Sequence, residues 1–195
     1  MSTTNASLEQ IDKLLASNGP AALVVREHLI PAEGADAVLF PATFADIGYN
    51  IDWENQEDRS GRNVCLIDSV GSQANRIEPM FKDEPYSSLV PQIVIRAGEK
   101  SVNLLDAGHR AGDAIARCSE LKDELNGVFQ AILKNGNALP LAKISPTSLV
   151  FGVWDSRDTQ AKLPRLIAST VRAYDVRKLT RSATYIAPCD YASAD

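Results

Sequence analysis

Residues 63–81 read NVCLIDSVGSQANRIEPMF, and the interpretation of the whole chain starts from this stretch. Leu66, Val70, Ala74, Ile77 and Phe81 recur in it at intervals of three and four residues. Such spacing is typical of the apolar face of an amphipathic α-helix. We therefore predict a helix over residues 63–81.

The segments on either side of this helix predict an α+β protein. Apolar spacing predicts further helices over residues 8–15, 109–118 and 120–135, with Gly136 just after the last one in the position that ends many helices. Apolar or alternating runs predict strands at 21–30, 92–97, 148–154 and 166–176. Residues 31–62 contain Gly34, Pro41, Gly48 and Gly61, and we expect a loop insertion there. This order predicts helices packed on a mainly antiparallel sheet, as in ferredoxin-like and RRM-like folds, in one domain.

The composition is that of a globular protein with an uneven charge distribution. The chain has 195 residues, 45% hydrophobic, and a net charge of -5. Residues 1–100 carry 8 Lys and Arg against 15 Asp and Glu, whereas residues 101–195 carry 12 against 10. The stretch 143–181 holds eight basic and three acidic residues. Because charges are screened beyond about 8–10 Å, this local excess matters more to a polyanion than the total does.

The sequence offers little for a metal, a cofactor or a membrane. Cys65, Cys118 and Cys189 are odd in number and form no CxxC motif, so we expect neither disulfides nor a metal site. Common motifs for nucleotide binding, hydrolysis and zinc are missing from the sequence, and we expect no cofactor. No apolar run reaches 18 residues and the N-terminal stretch is polar, so we expect a cytoplasmic protein.

Two helix faces and one basic run are candidate binding surfaces. On the predicted helix at 63–81, one polar face carries Ser69, Ser72, Gln73 and Arg76 and is suited to phosphate and sugar oxygens. An ordinary exposed face explains this spacing more simply. His109, Asp113 and Arg117 recur every four residues and share one helix face, which fits a surface ion pair and a binding surface equally well.

The basic run combines cations with aromatic residues. Arg157, Lys162, Arg165, Arg172, Arg177, Lys178 and Arg181 accompany Trp154, Tyr174 and Tyr185. Cations with a few aromatics suit single-stranded nucleic acid, and the alternative is a strand edge protected by charge. We expect Trp154 to belong to the core rather than to a stacking surface.

Five segments resemble one known family. They are CLIDSVGSQANRIE (65–78), AGHRAGDA (107–114), SLVFGVWDS (148–156), KLPRLIASTVRAYDV (162–176) and LTRSATY (179–185). In this order they resemble the Csb-type RAMP protein of type I-G (formerly I-U) CRISPR systems, the backbone subunit of a Cascade-type complex. The resemblance covers residues 21–191. Members of that family extend beyond the length of this chain, so we expect a truncated or split version of the family.

The resemblance implies an RRM-like palm with inserted finger and thumb loops. It implies a non-catalytic subunit that binds CRISPR RNA along its backbone, stacks with copies of itself and other Cascade subunits, and leaves the guide bases to pair with target DNA. Read together with the residue patterns, it predicts the following RNA-binding residues: Ser72, Gln73, Arg76, His109, Arg110, Lys162, Arg165, Arg172 and Arg181.

The alternative is a metal-independent endoribonuclease, as some RAMP proteins are. His109 would then act as general base and Arg110 would stabilise the phosphorane. This alternative is weakened because, apart from Asp113, which is interpreted as an ion-pair partner, no second acid or base is found on the same predicted face.

Overall fold

The computed structural model of the chain describes residues 8–179. The chain divides into two compact units, one up to Leu39 and one from Phe40 onward. In the first unit, helix α1 (Leu8–Leu15) confirms the predicted N-terminal helix.

The predicted strand over residues 21–30 is wrong. The segment has no regular secondary structure, and Leu23, Val25 and Leu29 are exposed. β-Branched residues form a strand only where a neighbouring strand exchanges backbone hydrogen bonds with them. No described residue forms such a ladder with this segment.

The second unit alternates short strands and helices. Its described strands are β1 (Thr43–Phe44), β2 (Gly48–Tyr49), β3 (Ile51–Asn55), β4 (Ser60–Asp68), β5 (Val94–Ala97), β6 (Lys100–Asn103), β7 (Val153–Trp154), β8 (Lys162–Leu163) and β9 (Val171–Tyr174). Its described helices are α2 (Val70–Ile77), α3 (Ala114–Arg117), α4 (Lys122–Asn135), α5 (Leu139–Ile144) and α6 (Pro146–Phe151), with 3-10 helices at Glu78–Lys82, Ser87–Leu89, Leu104–Asp106 and Arg110–Gly112. The described strands pair antiparallel throughout, and the predicted α+β class is confirmed.

The largest described sheet has the order β3-β4-β9. Cys65 in its central strand lies opposite Ile51 on one side and Ala173 on the other. Asn63 extends the pairing, because its side chain donates to the carbonyl of Val176 at 3.0 Å and accepts from the N–H of Val176 at 2.8 Å. Two segments 113 residues apart in sequence are thereby joined.

This sheet corrects the prediction for residues 63–68. They form the end of a strand, and the helix begins only at Val70, where Ser69 caps it by accepting from the N–H of Ser72 at 3.2 Å. The helical spacing of Leu66 was misleading because pairing with a distant strand outweighs local periodicity. The expected loop at 31–62 likewise contains β1, β2, β3 and the start of β4, from Thr43 onward. Whether that range is an insertion stays a prediction.

The core lies around α4, whose Leu125, Val128 and Phe129 are buried. Gly136 ends this helix in the left-handed conformation (φ 64°), as predicted. The rest of the core comes from short elements packed against it: Leu104, Ala107, Ala111, Ala116, Leu141, Val153 and Ala161. None of the described helices is long and apolar enough to cross a membrane.

Residues 148–154, predicted to be one strand, change structure at Gly152. Helix α6 begins at Pro146, whose fixed φ suits the first helical turn. Gly152 has a positive φ of 79°, which turns the chain from α6 into the two-residue strand β7. Of the predicted strand at 166–176, only β9 is a strand. The predicted strand at 92–97 is confirmed as β5, which pairs with β6.

Arg117 departs most from its predicted surface position. The predicted helix at 109–118 is not continuous. Asp113 has an extended backbone that separates the 3-10 turn at Arg110–Gly112 from α3, and its side chain caps α3. Arg117 is buried, with Nε 3.1 Å from Asp155 Oδ1 and Nη2 2.8 Å from Asp158 Oδ2. Its guanidinium also lies over the ring of Phe129. Arg117 therefore holds the segment after β7 against α3 and α4.

We expect Arg117→Ala to lower the free energy of unfolding by about 3–5 kcal/mol, because it leaves the fully buried carboxylate of Asp155 without its cation. Lys134→Ala on the exposed side of α4 is the matched control and should change it by about 0.5 kcal/mol or less. Urea denaturation followed by circular dichroism measures both. Equal stabilities of the two variants would contradict a structural role for the Arg117 cluster.

Candidate nucleic-acid interface

An open cleft of about 440 Å³ lies where four segments of the second unit meet. These segments are the face of α2 that carries Gly71 and Asn75, the turn at 108–110, the start of β7, and β8 with the residues after it. The lining residues are Gly71, Asn75, Gly108, His109, Arg110, Gly152, Val153, Trp154, Lys162, Leu163, Pro164 and Arg165. Each of the four segments belongs to one of the sequence motifs quoted above, at 65–78, 107–114, 148–156 and 162–176.

The cleft brings together four of the nine predicted RNA-binding residues, His109, Arg110, Lys162 and Arg165. None of the described residues that line it is acidic. Cationic groups without competing carboxylates produce a positive potential that attracts phosphate oxygens. The arrangement can therefore bind an anionic ligand.

The charge of Arg110 is compensated inside the protein, and its predicted role in RNA binding stays a prediction. Its side chain is 4% exposed, and Nε lies 2.7 Å from Glu78 Oε2. Nη1 donates to the carbonyl of Gly152 and Nη2 to Asn75 Oδ1, both at 3.2 Å. The guanidinium lies beneath the cleft and joins three of the segments that form it.

The electrostatics of this pair reflect its burial. Burial raises the pKa of Glu78, although hydrogen bonding to Thr147 and the charge of Arg110 oppose the change. Burial likewise lowers the pKa of Arg110, and Glu78 opposes that shift. Arg165 adds to the lowering, so the two arginines are close enough to interact. The charge of Arg110 is compensated by Glu78, and the free positive charge at the cleft comes from Lys162 and Arg165.

Glycines allow Arg165 to lie across the cleft. A Cβ on Gly152 would lie 2.9 Å from Arg165 Cγ, and one on Gly71 would lie 3.6 Å from Arg165 Nη2. The Arg165 side chain thus passes over Gly152 towards the first turn of α2. Gly152 is required twice, for this close approach and for its positive φ.

Trp154 lies at the cleft, not in the core as predicted. It is 50% exposed, whereas the preceding Val153 is buried. Lys162, its partner in the β7–β8 pair, places Nζ 5.8 Å from the centre of the indole ring. Sequence reasoning missed this because it took 148–154 as one buried strand. The alternation of side chains along a strand that starts at Val153 would have placed Trp154 outside.

Ser72, Gln73 and Arg76 do not line the cleft, because α2 turns Gly71 and Asn75 towards it instead. The three residues surround the largely buried carboxylate of Asp68. Gln73 donates to Asp68 Oδ2 at 2.6 Å, and Arg76 Nε lies 3.3 Å from the same oxygen. The Arg76 side chain is still 73% exposed. Its predicted role in RNA binding stays a prediction.

The remaining predicted residues lie elsewhere. Arg172 is exposed on β9, opposite Leu66, and does not line the cleft. Arg181 lies outside the described residues.

The described side chains form no metal-binding group. Within residues 8–179, no three His, Cys, Asp or Glu residues are grouped so as to hold a metal ion. Cys65 is buried, and burial raises the pKa of its thiol. A higher thiol pKa leaves less of the nucleophilic thiolate.

These features define an α+β protein with an open cleft suited to anions. The family model described as CRISPR-associated protein GSU0053 matches residues 23–178, about four fifths of the chain, and the chain belongs to this family. The match includes every residue named above as lining the cleft. A search of the curated proteins and a search of the solved structures found no match. The expectation of a CRISPR-associated protein is thus confirmed at the level of the family.

The Asp68 cluster predicts a specific dependence of stability on pH. Burial alone would raise the pKa of Asp68, but hydrogen bonds from Ser72 and Gln73 and the charge of Arg76 outweigh it and lower the pKa below its ordinary value of 3.8. A carboxyl group whose pKa is lower in the folded than in the unfolded state stabilises the folded protein at any pH above its unfolded pKa. This stabilisation is lost as the pH falls through the pKa of the folded state. The free energy of unfolding of wild type should therefore exceed that of Asp68→Asn, and this difference should be largest at pH 7. The difference should become smaller at acid pH.

Urea denaturation of both proteins between pH 7 and pH 3 measures this gap. A gap that stays constant over the whole range would contradict a structural role for the ionised Asp68.

Proposed function

We propose that this CRISPR-associated protein is a non-catalytic subunit that binds single-stranded CRISPR RNA along its phosphate backbone. The observation that carries the proposal is the cleft itself, which is formed by four separate segments. Lys162 and Arg165 line it, and none of its described lining residues is acidic. The groups available to a ligand include the side chains of Lys162 and Arg165, the imidazole of His109 and the exposed backbone at Gly108. Such groups recognise phosphate and ribose rather than base edges, which suits a subunit that must accept any guide sequence.

The charge distribution supports the same proposal. The chain is acidic overall, at -5, yet Lys162 and Arg165 place two exposed cations at the cleft. Arg110 contributes no net charge there because Glu78 compensates it. Binding then depends on a few exposed cations, so it is sensitive to salt and to charge reversal at those positions.

The resemblance to the Csb-type RAMP backbone subunit extends the proposal to an assembly. In it, copies of the chain stack along one RNA within a type I-G Cascade complex, other subunits complete the complex, and target DNA pairs with the displayed bases. The adjacent residues Leu166 and Ile167 of the second unit are exposed and are available for contacts with neighbouring subunits.

A non-catalytic role is favoured over an endoribonuclease by the contents of the cleft. His109 is exposed there and could accept a proton, but none of the described lining residues supplies a carboxylate as a second acid or base. The guanidinium of Arg110, which the enzyme hypothesis needs at the phosphorane, is paired with Glu78. Incubation with labelled repeat RNA in the absence of metal tests the point. Discrete cleavage that disappears in His109→Ala would establish the enzyme and overturn the non-catalytic proposal.

We expect Lys162→Glu/Arg165→Glu to weaken binding of single-stranded RNA strongly. The slope of log affinity against log salt should become shallower by roughly 1.4, because each of two phosphates that are no longer neutralised contributes about 0.7. The matched control is Lys134→Glu/Lys143→Glu, which makes the same change in net charge at exposed positions on α4 and α5 that do not line the cleft. Fluorescence anisotropy at several salt concentrations measures both variants. Equally weakened binding in the two would mean that total charge, and not the cleft, controls affinity.

We expect oligomers that lengthen with the RNA if copies stack along it, because contacts between successive subunits do not close on themselves. Arg172→Glu/Arg177→Glu should shorten them, since both arginines are exposed and the N-terminal half of the chain is acidic. Size-exclusion chromatography with light scattering on RNAs of increasing length measures the stoichiometry. One fixed stoichiometry at every RNA length would contradict the stacked assembly.

A further inference from the structure

The backbone of Trp154 is fixed by contacts on two sides, while about half of the residue's surface remains exposed. The N–H of the next residue, Asp155, donates to the carbonyl of Ala161 at 2.8 Å, which closes the β7–β8 hairpin. On the other side, the carbonyl of Trp154 packs so closely against Gly112 that a Cβ there would lie 2.6 Å from it. An aromatic ring on a fixed backbone loses little conformational freedom when a ligand packs on it.

The surroundings of the ring indicate the chemistry of that ligand. Lys162 lies over the indole, Arg165 lines the same cleft, and no described lining residue carries a carboxylate. A ligand that satisfies both the cations and the exposed aromatic surface carries negative charge next to a planar ring, as a nucleotide does. The volume of about 440 Å³ is near the lower end of the range of about 300–1,000 Å³ for small-molecule sites. A cleft of this size is suited to one nucleotide of a single strand.

We propose that Trp154 is a base-stacking residue, on which one base of a single-stranded RNA packs while Lys162 and Arg165 bind the adjacent phosphates. This inference rests on the proposed function and adds to it a contact with a base. Stacking does not distinguish strongly between bases, since every base has an aromatic face. A subunit that accepts any guide sequence can therefore use it.

Trp53→Phe provides the background for the test, because the chain has 2 tryptophans and Trp154 then becomes the single fluorescent indole. The probes are a twelve-nucleotide oligoadenylate and an abasic oligonucleotide with the same number of phosphates. We expect the oligoadenylate to quench the fluorescence of Trp154 and the abasic strand to leave it nearly unchanged.

Affinity provides the second measurement. Trp154→Ala should weaken binding of the oligoadenylate by about 5- to 150-fold, the range expected for one stacked base, and should leave binding of the abasic strand unchanged. Trp154→Phe should retain most of the affinity, because its smaller ring still stacks. Circular dichroism shows whether each Trp154 variant is folded. The quenching experiment uses Trp53→Phe and does not depend on either Trp154 variant.

The outcomes separate this inference from the proposed function. Salt-dependent binding of both probes without quenching, or equally weakened binding of both in Trp154→Ala, would overturn the stacking role while phosphate binding stands. Failure of the Trp53→Phe and wild-type proteins to bind either probe would overturn the proposed function as well.

Discussion

The buried ion pair between Arg110 and Glu78 determines the geometry of the cleft. One guanidinium contacts Glu78 at the end of α2, Asn75 within α2, and the carbonyl of Gly152 before β7. Burial of two charges is unfavourable unless they are paired and hydrogen-bonded. Movement of any of these segments away from Arg110 would leave polar groups unpaired in the interior, so the pair restrains the relative positions of three cleft segments.

A second buried arginine acts at the other end of the same short strand. Arg117 binds Asp155, which follows β7, and it packs on Phe129 of α4. Asp155 also accepts from the N–H and hydroxyl of Thr159, which shapes the turn that leads to Lys162. Strand β7 is thus anchored on both sides, at Gly152 by Arg110 and at Asp155 by Arg117. Its two residues place Val153 in the core and Trp154 at the cleft, beside Lys162.

The cations around the cleft consequently divide into two groups with different roles. Arg110 and Arg117 are buried, compensated by carboxylates, and support the structure. Lys162 and Arg165 are exposed, and the described lining of the cleft offers them no carboxylate, so their charge is available to a phosphate. Each buried pair is neutral overall, so the cationic character of the cleft in this acidic protein comes from Lys162 and Arg165 and from the lack of carboxylates among its described lining residues.

The sequence by itself determined those features that depend on neighbouring residues or on charge. Helix α4 and its end at Gly136 follow from apolar spacing and from the conformational freedom of glycine, and the basic character of residues 143–181 follows from counting charges. The ordered motifs also indicated a CRISPR-associated protein, because they hold many residue types at fixed positions. Four of the nine predicted site residues line one cleft, since those motifs meet in space.

Only the tertiary structure decided which cations are buried and which are exposed. Arg110 and His109 are adjacent in sequence, yet one is compensated by Glu78 and the other faces solvent. Residues 63–68 form a strand because Asn63 and Cys65 pair with a segment more than 100 residues later, which no local period reveals. Trp154 is exposed because the chain turns at Gly152 and begins a new strand there. Each of these outcomes depends on pairing or burial between segments distant in sequence, and that information is absent from the spacing of residues along the chain.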